Sequence, residues 1–184
     1  MSKPVLAYHF TNGYHLRDGQ LLETGREYVF DGEPVMCARG YHASRHVFDA
    51  MVNAPGPILS RVECKEITDE CDDKLVCRRR RVIATIDATK ILRKFARMCA
   101  LDVIHLWDAP DVVVRYLKTG DEALRDAARI AAWAAAWNHA MSAARSAAWA
   151  DALDAARAAA RDATRRRQRR RLARMVNQAF KQTG

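Results

Sequence analysis

An α+β fold is what this chain predicts: a small N-terminal mixed β unit with one short helix, followed by a helical C-terminal part ending in a long alanine-rich helix. Three observations predict it. Up to about residue 87, short β-branched and aromatic runs alternate with Asn-Gly, Asp-Gly and Arg-Gly turn signals. Beyond that point apolar residues recur every three or four positions, the period of a helix. From 121 to 163 alanine dominates, and alanine is the best helix former. The expected organisation is a mixed α/β unit at 1–87, packing helices at 88–120, and an alanine-rich helix with a basic terminus at 121–184. With 184 residues, 49% of them hydrophobic, the chain is long enough to bury a core.

Taken in order, the runs 5–10, 26–30, 34–37, 58–64 and 81–86 read as strands. The stretch 40–44 reads as extended, and Ser44 is placed to cap a short helix reaching residue 53, with Val47, Phe48 and Met51 on its buried side. Asp87 is placed to cap a helix running to about Trp107, whose apolar face is Leu92, Phe95, Cys99, Val103 and Leu106. Pro110 suits the first turn of the next helix, Val113, Val114 and Leu117 give its buried side, and Gly120 ends it. Asp121 then caps the long helix. Inside it the larger residues keep a spacing of four: Arg129, Trp133, Trp137, Met141, Arg145, Trp149, Leu153, Arg157, Arg161 and Arg165. Four residues turn about 400°, so this row drifts about 40° per step and winds around the helix. Trp133 and Trp137 are expected against the globular body, and the Arg157 to Arg171 end is expected to project or to meet something else. Repeat expansion accounts for the spacing; the small residues also permit close helix pairing or self-association into a homo-oligomer.

Charge is concentrated at the end of the chain. Residues 165–184 hold seven arginines, one lysine and no acid, which is +8 of the net +9. Arg165, Arg166, Arg167, Arg169, Arg170, Arg171 and Arg174 are therefore the candidate binding residues, suited to phosphates or an acidic protein surface. A solvated helix end that complements the macrodipole is the alternative. No aromatic series is interleaved to stack bases, so nucleic-acid contact through this end would be backbone-driven and nonspecific. A second basic run, Arg78 to Arg81, would turn two of its four side chains inward on a strand. Those two need carboxylates or water, with the Asp69 to Asp73 cluster as the expected partner and a phosphate pocket as the alternative.

Several chemistries are poorly supported. Five cysteines form no C-x-x-C pair and no regular framework, which points to reduced thiols and a cytoplasmic protein. The N-terminus has no apolar signal core, and no window approaches the roughly 18 apolar residues of a membrane span. Cys37, His42 and His46 could share a metal only if a helix covered both histidines; the extended reading separates them, so no metal is expected. Ser44 lacks a third partner for nucleophilic catalysis, and the eight glycines form no phosphate-cradling loop.

Cys37-Ala38-Arg39-Gly40-Tyr41-His42-Ala43-Ser44, the later Asp49-Ala50 and Ala54-Pro55-Gly56, Asp73-Lys74, the stretch 95–104 and the alanine-rich tail together resemble a broad family of phage and prophage proteins. Small phage accessory proteins often bind and disable host machinery, including CRISPR and other defence systems. The resemblance implies a non-enzymatic interaction protein without cofactor, acting on a host protein or ribonucleoprotein complex. Tyr8-His9-Phe10-Thr11 and Gly40-Tyr41-His42-Ala43-Ser44 are also similar to the first two motifs of the ADP-ribosyltransferase fold. That similarity implies His9 at the ribose of NAD, Tyr41 or His42 at nicotinamide, and Glu63 as the acidic residue supporting transfer. Phe10 departs from the small residue usual after the first histidine.

Overall fold

The computed structural model describes residues 3–144 and 151–183, and the surroundings of side chains for 3–135 and 164–183. Two compact units are present: residues Met1–Leu92 together with Arg169–Gly184, and residues Arg93–Gln168.

The first unit is built on a five-stranded antiparallel sheet. Its strands are β1 (Val5–Thr11), β2 (Glu27–Val29), β3 (Tyr41–Ala43), β4 (Ile58–Glu70) and β5 (Leu75–Asp87), in the order β1, β4, β5, β2, with β3 also pairing with β5. β4 and β5 are each 13 residues long. They extend well past the expected 58–64 and 81–86 because cross-strand ion pairs hold their charged ends. Lys65 and Arg79 both reach Glu27, at 3.1 and 2.6 Å. The expected strand at 34–37 is instead a tight turn closed by a Val35–Arg39 bridge, with Cys37 in the left-handed region at φ 62°. Gly40 ends that turn at φ 99°, where an added Cβ would lie 2.7 Å from Pro34 Cβ.

Pleat alternation divides the sheet. Ala7 and His9 of β1 face the same side as Val62 and Ser60 of β4, and this side carries a core of Ala7, Val62, Cys64, Cys77, Val82, Tyr28 and Tyr41. Leu16 and Leu22, from the segment between β1 and β2, join the same core. The other side presents Tyr8 and Arg61. The short helix α1 (Val47–Val52) starts after His46 without a side-chain cap. Ser44, the expected cap, instead exchanges backbone bonds with Tyr8.

The class is α+β as expected, but the last element is not a long alanine-rich helix. The described helical residues beyond 124 form α4 (Arg125–Ala144) and α5 (Asp151–Gln182). The end of α5, expected to project, belongs to the first unit and buries Leu172, Val176 and Phe180. Residues spaced by four share a slowly drifting face, so these three make an apolar stripe that the arginine count conceals. Asn177 accepts from Tyr8 Oη at 3.3 Å and Arg61 Nη2 at 2.6 Å, and the Arg61 guanidinium lies 4.7 Å from the Phe180 ring centroid. The wound row of residues lies largely outside the description: Arg145 and Trp149 are not described, nor are the side chains of Trp137, Met141, Leu153, Arg157 and Arg161.

α2 (Thr89–Asp102) begins in the first unit, where Asp87 Oδ1 accepts from Thr89 N at 2.8 Å, and its later turns belong to the second. It stops short of Trp107, giving way to a 3-10 turn at Ile104–Leu106 that leaves Leu106 exposed. α3 (Asp111–Thr119) follows Pro110 and closes on Gly120 in the left-handed conformation at φ 71°. Asp121 caps a 3-10 turn through Ala123 N at 3.0 Å before α4 begins. Trp133, expected against the body, is 70% exposed.

Candidate functional site

Two groups of polar residues stand out: the outer face of α5, and a buried cluster around Arg80.

On α5, helix periodicity sorts the seven candidate arginines. Arg169 and Arg171 are half-buried, while Arg165, Arg166, Arg167, Arg170 and Arg174 are exposed. Arg169 turns inward and pairs with Asp49 of α1, a carboxylate 2% exposed, so its charge is spent on folding. Arg170, Arg174 and Lys181 lie roughly 120–160° around the helix from Val176, on the side turned away from the sheet. None of these three makes an ion pair with a described carboxylate. No acid occurs between Arg165 and Gly184 to neutralise them locally. Since Leu172, Val176 and Phe180 fix the opposite side, the result is a cationic ridge on an anchored helix.

The buried cluster brings together His9 from β1, Tyr41 from β3 and Arg80 from β5. Arg80 Nη1 donates to the His42 carbonyl at 3.0 Å, and an N–H of the His9 imidazole donates to the same backbone. The guanidinium lies 4.8 Å from the Tyr41 ring centroid, and Tyr28 and Phe30 meet that ring edge-on at 6.2 and 6.3 Å. Burial, then the Arg80 charge, holds His9 well below the usual imidazole range, so the ring is neutral. Burial, then nearby Asp18, raises Tyr41. These residues cannot supply a strong acid, but they present N–H donors and an aromatic wall.

Two candidates lie elsewhere. Alternation along β4 puts Glu63 on the opposite face from His9 and Ser60, with Leu6 and Arg81 as its register partners. The His42 ring does not join the cluster either. Its Nε2 accepts from the Cys37 backbone N–H at 3.0 Å, and burial lowers its pKa. Among the described residues, no group of three or more His, Cys, Asp or Glu is disposed to hold a metal ion.

The expected pairing of the β5 arginines with the Asp69 to Asp73 cluster is not what forms. Arg79 pairs with Glu27 and Glu66, and Arg78 and Arg81 donate to the carbonyls of Phe30 and Gly25 at 3.3 Å. Strand register sets these neighbours, since β2 lies opposite Arg79 to Arg81. Sequence reasoning missed Asp49 and Asn177. The signal for Asp49 was an acid inside the apolar Val47-Phe48-Asp49-Ala50-Met51 run; Asn177 offered none. Among the described residues no helix is long and apolar enough to cross a membrane. No family model, curated protein or solved structure matches the chain.

Proposed function

We propose that this chain is a phage-derived, non-enzymatic interaction protein that acts in the bacterial cytoplasm by binding and inhibiting host machinery, such as a CRISPR or other defence complex. The observation that carries the proposal is the ridge of Arg170, Arg174 and Lys181, exposed on a helix whose opposite side is buried. An anchored helix presents its charges without first ordering a flexible tail, which lowers the entropic cost of docking. Arginine forks suit carboxylates and phosphates, so the partner is a host protein with an acidic surface or a ribonucleoprotein. The test is capture from bacterial lysate, with and without nuclease, by the full chain and by an Arg170→Ala/Arg174→Ala variant across a salt series. A partner held by the wild type and released by the variant is the expected result. Equal capture by both removes the ridge from the interaction.

The ADP-ribosyltransferase reading, with NAD as cofactor, is favoured by His9 and Tyr41 both lying beside Arg80. Against it stands Glu63 on the far side of the sheet. NAD turnover that disappears in His9→Ala would establish that reading over the first.

A further inference from the structure

Arg80 is 2% exposed in the middle of the sheet, yet no described carboxylate lies within ion-pair distance of it. A guanidinium carries five N–H donors. Here one is taken by the His42 carbonyl, which also serves His9, and Nε has no partner. Burying a charge is costly unless an anion meets it. The groups around Arg80 do not supply one. Cys77 Sγ donates to the Tyr41 carbonyl at 3.3 Å and Tyr28 Oη donates to the Leu21 carbonyl at 2.6 Å, so both are engaged as donors. The hydrogen bond to Cys77, with burial, holds Cys64 far above the ordinary thiol range and burial raises Tyr41, whereas the same Cys64 hydrogen bond lowers Cys77, which remains a thiol donor to the Tyr41 carbonyl in this geometry. Ser60, the register partner of His9, is fully buried with its hydroxyl 3.0 Å from that of Thr85.

The geometry points to Arg80 and His9 as the anchor of a binding site for a phosphate-class oxyanion. The Nε edge of a guanidinium offers parallel N–H groups that take two oxygens of one anion. The neighbouring imidazole is half-buried on the same side of the sheet; while neutral its one N–H serves the His42 backbone, and an anion beside it favours the imidazolium, whose second N–H is then available. Tyr41, Tyr28 and Leu16 belong to the core on this side of the sheet, so the guest proposed is a small tetrahedral anion, free or as the phosphoryl end of a larger molecule. This site is separate from the α5 ridge and does not depend on the function proposed for it.

Thermal unfolding of the full chain, titrated with inorganic phosphate against chloride at constant ionic strength, reads the site. Near a hundredfold excess over Kd the melting temperature should rise by about 5 °C, and the His9 ring resonances should shift in NMR spectra. A parallel titration with adenosine monophosphate separates the sources. Tighter binding than inorganic phosphate assigns the phosphoryl group to a nucleotide; equal or weaker binding assigns the free anion. Arg80→Met should abolish the rise and Arg170→Ala/Arg174→Ala should keep it. His9→Gln, the milder change, should weaken phosphate about tenfold even if Arg80→Met fails to fold. No rise in the wild type overturns the site, as does a rise that survives Arg80→Met, is unchanged in His9→Gln, or is lost with the α5 variant.

Discussion

The chain contains two arginine-rich runs, Arg78 to Arg81 on β5 and Arg165 to Arg174 on α5, and they meet opposite fates. On the strand, Arg80 enters the core while Arg78 and Arg81 stay exposed, although alternation separates Arg80 only from Arg79 and Arg81. On the helix, a period of 3.6 lets Leu172, Val176 and Phe180 take the buried side, and one arginine, Arg169, turns toward a buried carboxylate. Residue type sets what charge is available; element geometry decides which charges are desolvated. A basic run on a strand must bury charge, whereas one on a helix can spread it over an outer face.

The comparison breaks most severely if the end of α5 is dispensable. Ending the chain at Gln168 removes Leu172, Val176 and Phe180, each worth about 1.5–3 kcal/mol when buried. The total approaches the whole stability of an ordinary domain. Such a truncation should lose the cooperative urea transition of the first unit; a native-like transition would show that α5 only decorates the sheet. Next in size is Arg169→Ala, which strands the Asp49 carboxylate and should cost about 2–3 kcal/mol in denaturant unfolding, below the range for fully buried pairs because Arg169 keeps partial solvent contact.

The outer arginines should behave oppositely. Arg170→Ala/Arg174→Ala should shift stability by no more than about 0.5 kcal/mol per site. If the partner is a nucleic acid backbone, the same variant should reduce the slope of log affinity against log salt by about two. A large stability loss with an unchanged slope would reverse the assignment of inner and outer faces. The smallest effect concerns the strand run. Lys65 and Arg79 hold the Glu27 carboxyl below its ordinary 4.5. A depressed folded pKa stabilises above the unfolded value and loses that contribution as pH falls through the folded one. Glu27→Gln should therefore make the loss of melting temperature below about pH 4.5 shallower, with little change at pH 7, as partly exposed pairs contribute little.

Much of the chain's local order was legible. Asp87 and Gly120 end their elements as capping chemistry requires, and the extended reading of 40–44 matches β3. What misled was local context. The charged ends of β4 and β5 look like loops until Glu27 is opposite them. Ser44 looks like a cap until β1 claims its backbone. At the candidate sites, alternation predicts two inward arginines in the 78–81 run, yet only Arg80 is buried, and the partners of the run were not foreseeable. Glu63 was chosen by sequence proximity, and strand alternation places it away from His9.

By itself, the sequence determined the α+β class, the order of strands before helices, and the concentration of charge in the last twenty residues, because periodicity, turn chemistry and composition are local properties. Tertiary structure alone decided that the end of α5 belongs with the sheet, that Arg169 is structural while Arg170 and Arg174 face outward, and that Arg80 lies buried beside His9 without a described carboxylate. Those outcomes depend on which distant segment lies opposite each residue, and the free energy of burying a charge is set by that neighbour.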